Sequence, residues 1–176
     1  LVAVALFSGG VLLAILTFTA VTLLIGDPFY EKLSEKVEES VGGCPRAPDR
    51  PWWRELWISL RDNLYLLGRV LLFGVPLFLL GFVPVIGQTI IPVLGIAVSG
   101  FFLTAELTSF AMERRDVGVR ERLRLLRSRL AMTLGFGAPL ILLFLVPLAA
   151  VFLMPGAVAG ATLLARELTS KHAAAR

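Results

Sequence analysis

Long apolar runs alternate with short charged segments along the whole chain. Residues 1–25 carry no charged side chain, and the run from Leu64 to Met112 contains only Arg69 and Glu106 as charged side chains. Residues 131–165 are again free of charge. About 20 apolar residues in a helix span the ~30 Å hydrocarbon core of a bilayer. The pattern therefore predicts an all-α integral membrane protein with long transmembrane helices, the first of them over residues 1–25.

The run over residues 64–112 predicts a helical hairpin. Its middle, VPVIGQT at residues 83–89, has the proline and glycine of a turn but no charge. A first arm over residues 70–82 would rise only about 20 Å, which is less than the hydrocarbon core. An uncharged bend on so short an arm favours a hairpin that enters the membrane and returns to the same face. Irregular backbone at that depth needs neighbouring protein or a cavity around it.

Residues 131–165 repeat this pattern. As a single helix they would be about 52 Å long, so the run has to fold back. Pro147 divides it, and Pro155-Gly156 predicts a further interruption in the second half. We therefore expect two re-entrant, partially penetrating helical hairpins. The alternative is four ordinary crossings, with VPVIGQT and VPLAA as external loops that would lack the usual polar residues.

The remaining segments complete a single membrane domain over residues 1–176. Residues 26–63 begin with a predicted interruption of the helix at Asp27-Pro28 and continue as a charged helical extension that ends at Gly42-Gly43. A proline-rich linker follows, and then a tryptophan cluster that is typical of the membrane–water interface. The C-terminal residues 166–176 form a polar tail.

Residues 113–130 are the most basic segment of the chain, with seven arginines against three acidic residues. An excess of arginine places such a short segment in the cytoplasm. One helical face carries Val119, Leu123, Leu126 and Leu130, and the other carries Arg120, Arg124 and Arg127. The pattern predicts a basic amphipathic helix lying on anionic lipid. An anion-recruiting patch at the mouth of a pore is the alternative.

Composition limits the possible functions. The 176 residues are 57% hydrophobic and 17% charged, with a mean hydropathy of +0.83, so the lipid bilayer is the first partner. One cysteine, Cys44, and one histidine, His172, offer neither a disulfide framework nor a catalytic or metal constellation. We expect no enzymatic activity, no cofactor, no metal and no nucleic acid as partner.

Five residues are candidates for anion binding or for the lining of a pore. Arg69 and Glu106 are ionisable groups within reach of membrane depth, where such side chains indicate function. Contact with lipid headgroups at the interface is the alternative for both. Gly87, Gln88 and Thr89 open the second arm of the first hairpin, where unpaired N–H groups and the helix dipole favour an anion. Local capping by Gln88 and Thr89 explains the same residues equally well.

Small residues recur at spacings of about one helical turn, which predicts close contacts between membrane helices. This set comprises Gly95, Ser99, Gly100, Gly135, Gly137, Gly156 and Gly160. The spacing does not distinguish packing within one chain from packing between subunits.

Several short motifs occur in a fixed order. FVPVIGQTIIPVLG at residues 82–95 is followed by the arginine-rich helix, then by GFGA at 135–138, VPL at 146–148 and MPGAVAGAT at 154–162. In these motifs the chain resembles the CysZ-type sulfate permease family, which is grouped with the eukaryotic etoposide-induced membrane proteins. The motif residues with expected structural roles are Pro84, Pro92, Phe136, Gly137, Pro147, Pro155, Gly160 and Thr162.

The resemblance implies long transmembrane helices with two partly penetrating hairpins, a dimer-based homo-oligomer and a bacterial inner-membrane location. It implies a permease or channel subunit for sulfate or a similar small anion, which supports cysteine biosynthesis without nucleotide hydrolysis. The family's Gly-Leu-Arg or Gly-Ile-Arg sulfate motif is absent, and its helix is expected before Leu1. SFAMERRDV at residues 109–117 also lacks the acidic pair of the enterobacterial pattern. A membrane scaffold that transports nothing is the alternative.

Overall fold

Seven α-helices make up the regular structure that the computed structural model describes, which covers residues 2–45, 50–84 and 86–174. They are α1 (Val2–Ser40), α2 (Trp52–Leu80), α3 (Ile86–Leu107), α4 (Ser109–Glu113), α5 (Val119–Ser128), α6 (Leu130–Phe144) and α7 (Pro147–Ala174). The described residues contain no strand, and the predicted all-α fold is confirmed. Two helices, Trp52–Leu80 and Gly87–Leu107, are long and apolar enough to cross a membrane.

The apolar N-terminal run and the charged extension after it form one continuous helix, α1. Pro28 lies inside this helix, so the interruption predicted at Asp27-Pro28 is absent. The helix ends where the sequence predicted, at Gly42 and Gly43. Their φ values of 120° and 107° belong to a region that only glycine adopts without strain.

α2 and α3 form the first predicted hairpin, but the first arm is not short. α2 begins at Trp52 rather than at Val70, and its 29 residues rise about 44 Å. α3 has 22 residues and rises about 33 Å. The arm-length argument for re-entry is therefore wrong for this hairpin, since either helix reaches across a bilayer. Its uncharged bend is the feature that still favours re-entry.

α6 and α7 form the second hairpin and reverse at Leu145 and Val146. Pro147 is the first residue of α7. Proline is tolerated there because the first N–H of a helix has no hydrogen-bond partner within the helix. α7 then continues through Pro155, so the predicted break at Pro155-Gly156 is wrong. α6 has only 15 residues and rises about 22 Å, which is less than the hydrocarbon core. This arm has the length expected of partial penetration.

α5 turns away from α6 by 100° and covers one end of the bundle. Its apolar side chains are buried together with side chains of α4 and α7; this cluster includes Val119, Leu123, Leu125, Leu126, Met112, Leu164 and Leu168. The prediction that the apolar face of α5 lies on lipid is wrong, because this face packs against other helices of the protein. Arg120, Arg124 and Arg127 lie on the exposed side of α5, as the pattern predicted.

α3 and α6 pack backbone to backbone. A Cβ on Gly100 would lie 2.7 Å from the backbone nitrogen of Ala138, and a Cβ on Gly137 would overlap the carbonyl oxygen of Gly100. The Thr104 hydroxyl, which is fully buried, lies 2.8 Å from that same oxygen and 3.2 Å from the carbonyl oxygen of Thr133. Glycine is required at the crossing because any side chain would push the two helices apart.

The other small residues divide into two groups. Gly160 of α7 faces the ring of Phe136, and a Cβ there would lie 2.9 Å from the ring. Gly95, Gly135 and Gly156 have open space where a Cβ would be placed. Close packing within the chain thus accounts for part of the predicted small-residue pattern.

Candidate anion site

The arms of the first hairpin are aligned by an aromatic contact. The rings of Phe73 on α2 and Phe102 on α3 have centroids 6.3 Å apart. Because the helices run antiparallel, Arg69 and Glu106 each lie four residues from this contact towards the same, charged end. The two ionisable candidates therefore lie at the same level of the hairpin, one on each arm. No ion pair joins them among the described residues, and Glu106 is exposed.

Two guanidinium groups converge on the ring of Tyr65. The guanidinium carbon of Arg69 lies 5.2 Å from the ring centre, and that of Arg120, on α5, lies 5.1 Å from it. Nη2 of Arg69 donates to the Tyr65 hydroxyl at 2.7 Å. No described residue accepts the hydroxyl's own hydrogen, so the phenol remains a free donor. Sequence analysis identified Arg69 but missed Tyr65 and Arg120, which lie on separate helices.

Acidic groups lie beside this cluster without neutralising it. Asp62, one turn before Tyr65, contacts the guanidinium of Arg61 at 3.2 Å and lies 3.5 Å from the N–H of Val119 at the start of α5. Glu113 pairs loosely with the buried Arg122 at 3.5 Å. Asp62 and Glu113 are thus paired with Arg61 and Arg122 rather than with Arg69 or Arg120.

The remaining candidates lie at the opposite end of the hairpin. Gly87, Gln88 and Thr89 are in the first turn of α3, and the eleven-residue rise from Arg69 to the end of α2 separates them from the charged end by about 17 Å. The N–H of Gly87 donates to the carbonyl of Val83 at 2.8 Å. A Cβ on Gly87 would overlap the carbonyl oxygen of Gly81, so this glycine is required for the bend.

A buried ionic network, which sequence analysis missed, ties α1 to the segment after α4. Glu38 is 1% exposed and accepts two hydrogen bonds from Arg115, at 2.6 and 3.0 Å. Arg114 lies 3.4 Å from the same carboxylate. The Nε and Nη1 atoms of Arg114 are buried and have no partner among the described residues. Two cations therefore share one carboxylate inside the protein.

Hydroxyl groups extend this network to α7 with a defined direction. Arg114 donates to the Ser34 hydroxyl oxygen at 2.6 Å. The Thr162 hydroxyl spends its single hydrogen on the carbonyl of Val158 at 2.8 Å. Since the Ser34 and Thr162 oxygens are 2.8 Å apart, the Ser34 hydroxyl is the donor between them. Thr162, the last residue of the MPGAVAGAT motif, thus accepts the final hydrogen bond of a series that begins at the Arg114 guanidinium.

A cleft of about 520 Å³ lies next to this network. It is lined by Glu31, Glu35, Glu39, Gly43, Cys44, Pro45 and Arg114. Burial raises the pKa of the Cys44 thiol; the charge of Arg114 works against this shift, and nearby carboxylates such as Glu38 add to it. The thiol is therefore protonated and weakly reactive at neutral pH.

The proline and aromatic motif residues have structural positions. Pro84 lies in the bend of the first hairpin, and Pro92 lies inside α3 on an exposed face. Phe136 is partly buried and packs against both apolar clusters of the core. These positions shape the helices and bring no further charge to the Tyr65 cluster.

Comparison with known proteins gives consistent matches. A family model described as Sulfate transporter CysZ/Etoposide-induced protein 2.4 matches residues 1–155. A Pseudomonas fluorescens protein named Sulfate transporter CysZ is 32% identical over 150 residues, which cover 84% of this chain and 58% of that protein. A Pseudomonas aeruginosa protein of the same name is 34% identical over 154 residues, with 84% and 61% covered. The chain thus spans about three fifths of the length of these curated relatives.

Proposed function

Because the chain belongs to the sulfate transporter CysZ/etoposide-induced protein 2.4 family, we propose that it is the membrane-embedded part of a permease or channel for sulfate or a similar small anion. It is a membrane protein of a transporter family. Uptake of sulfate by this protein would supply cysteine biosynthesis. The proposal includes a bacterial inner-membrane location with α5 in the cytoplasm, assembly from dimers and the absence of enzymatic activity.

The observation that carries this proposal is the distribution of charge along the first hairpin. Its bend is uncharged and its apolar arms are largely exposed, while Arg69, Arg120 and the exposed arginines of α5 gather at the other end. A basic surface at one end of an apolar hairpin raises the local concentration of small anions. Arg69 and Glu106 are the candidate residues for control of anion passage at the charged end of the hairpin. Gly87, Gln88 and Thr89 remain candidates at the bend.

The decisive test is uptake of radiolabelled sulfate by vesicles that contain the full-length protein. We expect uptake above that of empty vesicles, without added nucleotide, and reduced by Arg69→Gln. Arg54→Gln provides a matched control, since Arg54 is an exposed arginine on the same helix but lies at its start. Uptake no greater than that of empty vesicles would overturn the proposal.

A scaffold without transport is the alternative, and the unpartnered surface of α2 favours it. None of the most apolar 18-residue window of α2 is buried inside this chain. Such a surface contacts either lipid or another protein. Stoichiometric co-purification of a partner that covers α2, together with the absence of sulfate uptake, would establish the scaffold instead of the permease.

A further inference from the structure

We propose that Tyr65, Arg69 and Arg120 form one binding site for a tetrahedral oxyanion at the charged end of the α2–α3 hairpin. The ligand is a sulfate or phosphate group, either free in solution or carried by a lipid headgroup. The inference rests on the proposed function only where it identifies the bound anion with the transported one. Binding at these three residues is measured separately from uptake.

Every polar group in the cluster can donate a hydrogen bond. Arg69 uses Nη2 for the Tyr65 hydroxyl, and its other N–H groups have no partner among the described residues. The hydroxyl oxygen accepts that bond, so its own hydrogen points elsewhere. Arg120 contributes five further N–H donors in a planar fork. A ligand that only accepts hydrogen bonds matches this set, and oxyanions have this property.

The two guanidinium groups also repel each other. Each guanidinium carbon lies within 5.2 Å of the same ring centre, so the two positive charges are no more than twice that distance apart. Arg69 and Tyr65 are partly buried, which weakens solvent screening on their side, whereas Arg120 is exposed. The face of the ring offsets only part of it. An anion beside the phenol hydroxyl relieves the repulsion and bridges α2 to α5.

A carboxylate on the other arm of the hairpin is relevant to this site. Glu106 on α3 lies at the level of Arg69 and is exposed, with no ion-pair partner among the described residues. A negative charge there competes with a bound anion for Arg69. Removal of the charge therefore strengthens anion binding, while removal of Arg120 or of the phenol hydroxyl weakens it. Changes in opposite directions distinguish a specific site from a general loss of folding.

Equilibrium binding of radiolabelled sulfate to the full-length protein tests this site. The protein is placed in nanodiscs of neutral phosphatidylcholine at constant ionic strength. We expect Arg120→Gln to weaken binding about tenfold, as loss of a charge-assisted hydrogen-bonding group should. Tyr65→Phe, which keeps the ring, weakens it several-fold, and Glu106→Gln strengthens it. Arg124→Gln, one turn further along the exposed face of α5, is the matched control for the general positive field of that face and should weaken binding much less than Arg120→Gln.

A second arm identifies the source of the oxyanion. Nanodiscs that contain phosphatidylglycerol are compared with neutral ones, and lipid retained by the protein is measured by native mass spectrometry. If sulfate binding disappears with phosphatidylglycerol, and Arg120→Gln releases the retained lipid, the native ligand is a lipid phosphate. If sulfate binding persists, the ligand is the free anion. Either result supports the site.

Two results would overturn the inference. One is unchanged affinity in both Arg120→Gln and Tyr65→Phe, with folding verified by gel filtration. The other is an equal loss in Arg124→Gln, which would show diffuse attraction to the basic face of α5. Normal uptake together with either result leaves the proposed function intact, whereas absent uptake with specific binding retains the site and removes the transport proposal.

Discussion

Gly100 on α3 and Gly137 on α6 bring the backbones of the two hairpins into direct contact. Since a Cβ on Gly137 would overlap the carbonyl oxygen of Gly100, nothing larger than hydrogen fits between the helices. The neighbouring Thr104 and Thr133 place their polar groups at the same crossing. The contact holds α3 of one hairpin directly against α6 of the other.

Gly137→Ala is expected to destabilise the protein by about 1–3 kcal/mol through overpacking at this crossing. The measurement is the free energy of unfolding of the detergent-solubilised protein by titration with a denaturing detergent. Gly135→Ala is the matched control in the same helix. Its Cβ meets open space, so its better helix propensity leaves stability equal or slightly higher. Equal losses in both variants would contradict the crossing.

Glu38→Gln is expected to lower the free energy of unfolding by about 3–5 kcal/mol, because two buried guanidiniums lose their common counter-charge. Glu39→Gln, on the exposed side of the same helix, should change it by about 0.5 kcal/mol or less. The same titration measures both. If the two variants are equally stable, the carboxylate of Glu38 is not buried as described.

Thr162→Val should cost about 1–3 kcal/mol, since the Ser34 hydroxyl then has no acceptor inside the protein. Thr162→Ser keeps an acceptor at the same place and should recover most of this loss. Chemical denaturation with a tryptophan signal provides the measurement. A valine variant as stable as the serine variant would rule out the proposed direction of the hydroxyl chain.

The Cys44 thiol should become reactive at a higher pH than an ordinary thiol, because its pKa is raised. Its raised pKa keeps the thiolate fraction low at neutral pH, and alkylation by iodoacetamide should accelerate only above the ordinary thiol range near pH 8.5. In denatured protein the rate should rise at lower pH. Glu35→Gln removes a nearby negative charge, which lowers the pKa and moves the profile to lower pH. Mass spectrometry follows this single cysteine directly.

Cysteine labels at the two bends test re-entry. In a Cys44→Ser background, Ile86→Cys and Ala149→Cys should resist an impermeant maleimide added to intact cells, because both bends would lie inside the membrane. Arg124→Cys, on the exposed face of α5, should react only in inverted vesicles. Free reaction of both bends from outside would instead establish full crossings, which α2 and α3 are long enough to make.

The helical content and both chain reversals were predictable because they follow from local properties. Uncharged runs longer than a bilayer have to fold back, and proline and glycine mark where they do. The continuity of α1 and α7 was not predictable from the same residues. Pro28 and Pro155 each remove one hydrogen bond, and buried contacts in the turns that follow them hold the helices in place, at Ser34 and Glu38 in α1 and at Ala157 and Val158 in α7.

The candidate site was only partly predictable, for a different reason. Arg69 and Glu106 are conspicuous because they are charges within apolar sequence. Arg120 lies in a segment where every third residue or so is basic, and nothing local marks it as the arginine that reaches Tyr65. Glu38 likewise resembles its solvated neighbours in EKLSEKVEES. Only the four-residue spacing of Ser34 and Glu38 along one face of α1 hinted at a buried polar stripe.

The ionic contacts of Glu38 with Arg114 and Arg115 hold one end of α1. Its 39 residues form a rod of about 58 Å, held at Ser34 and Glu38 by α7 and by the arginines after α4. A tilt of α1 by a few degrees about Ser34 and Glu38 would move its N-terminal end by several ångströms. A small rearrangement among these arginines would therefore move the opposite end of α1 by a larger distance.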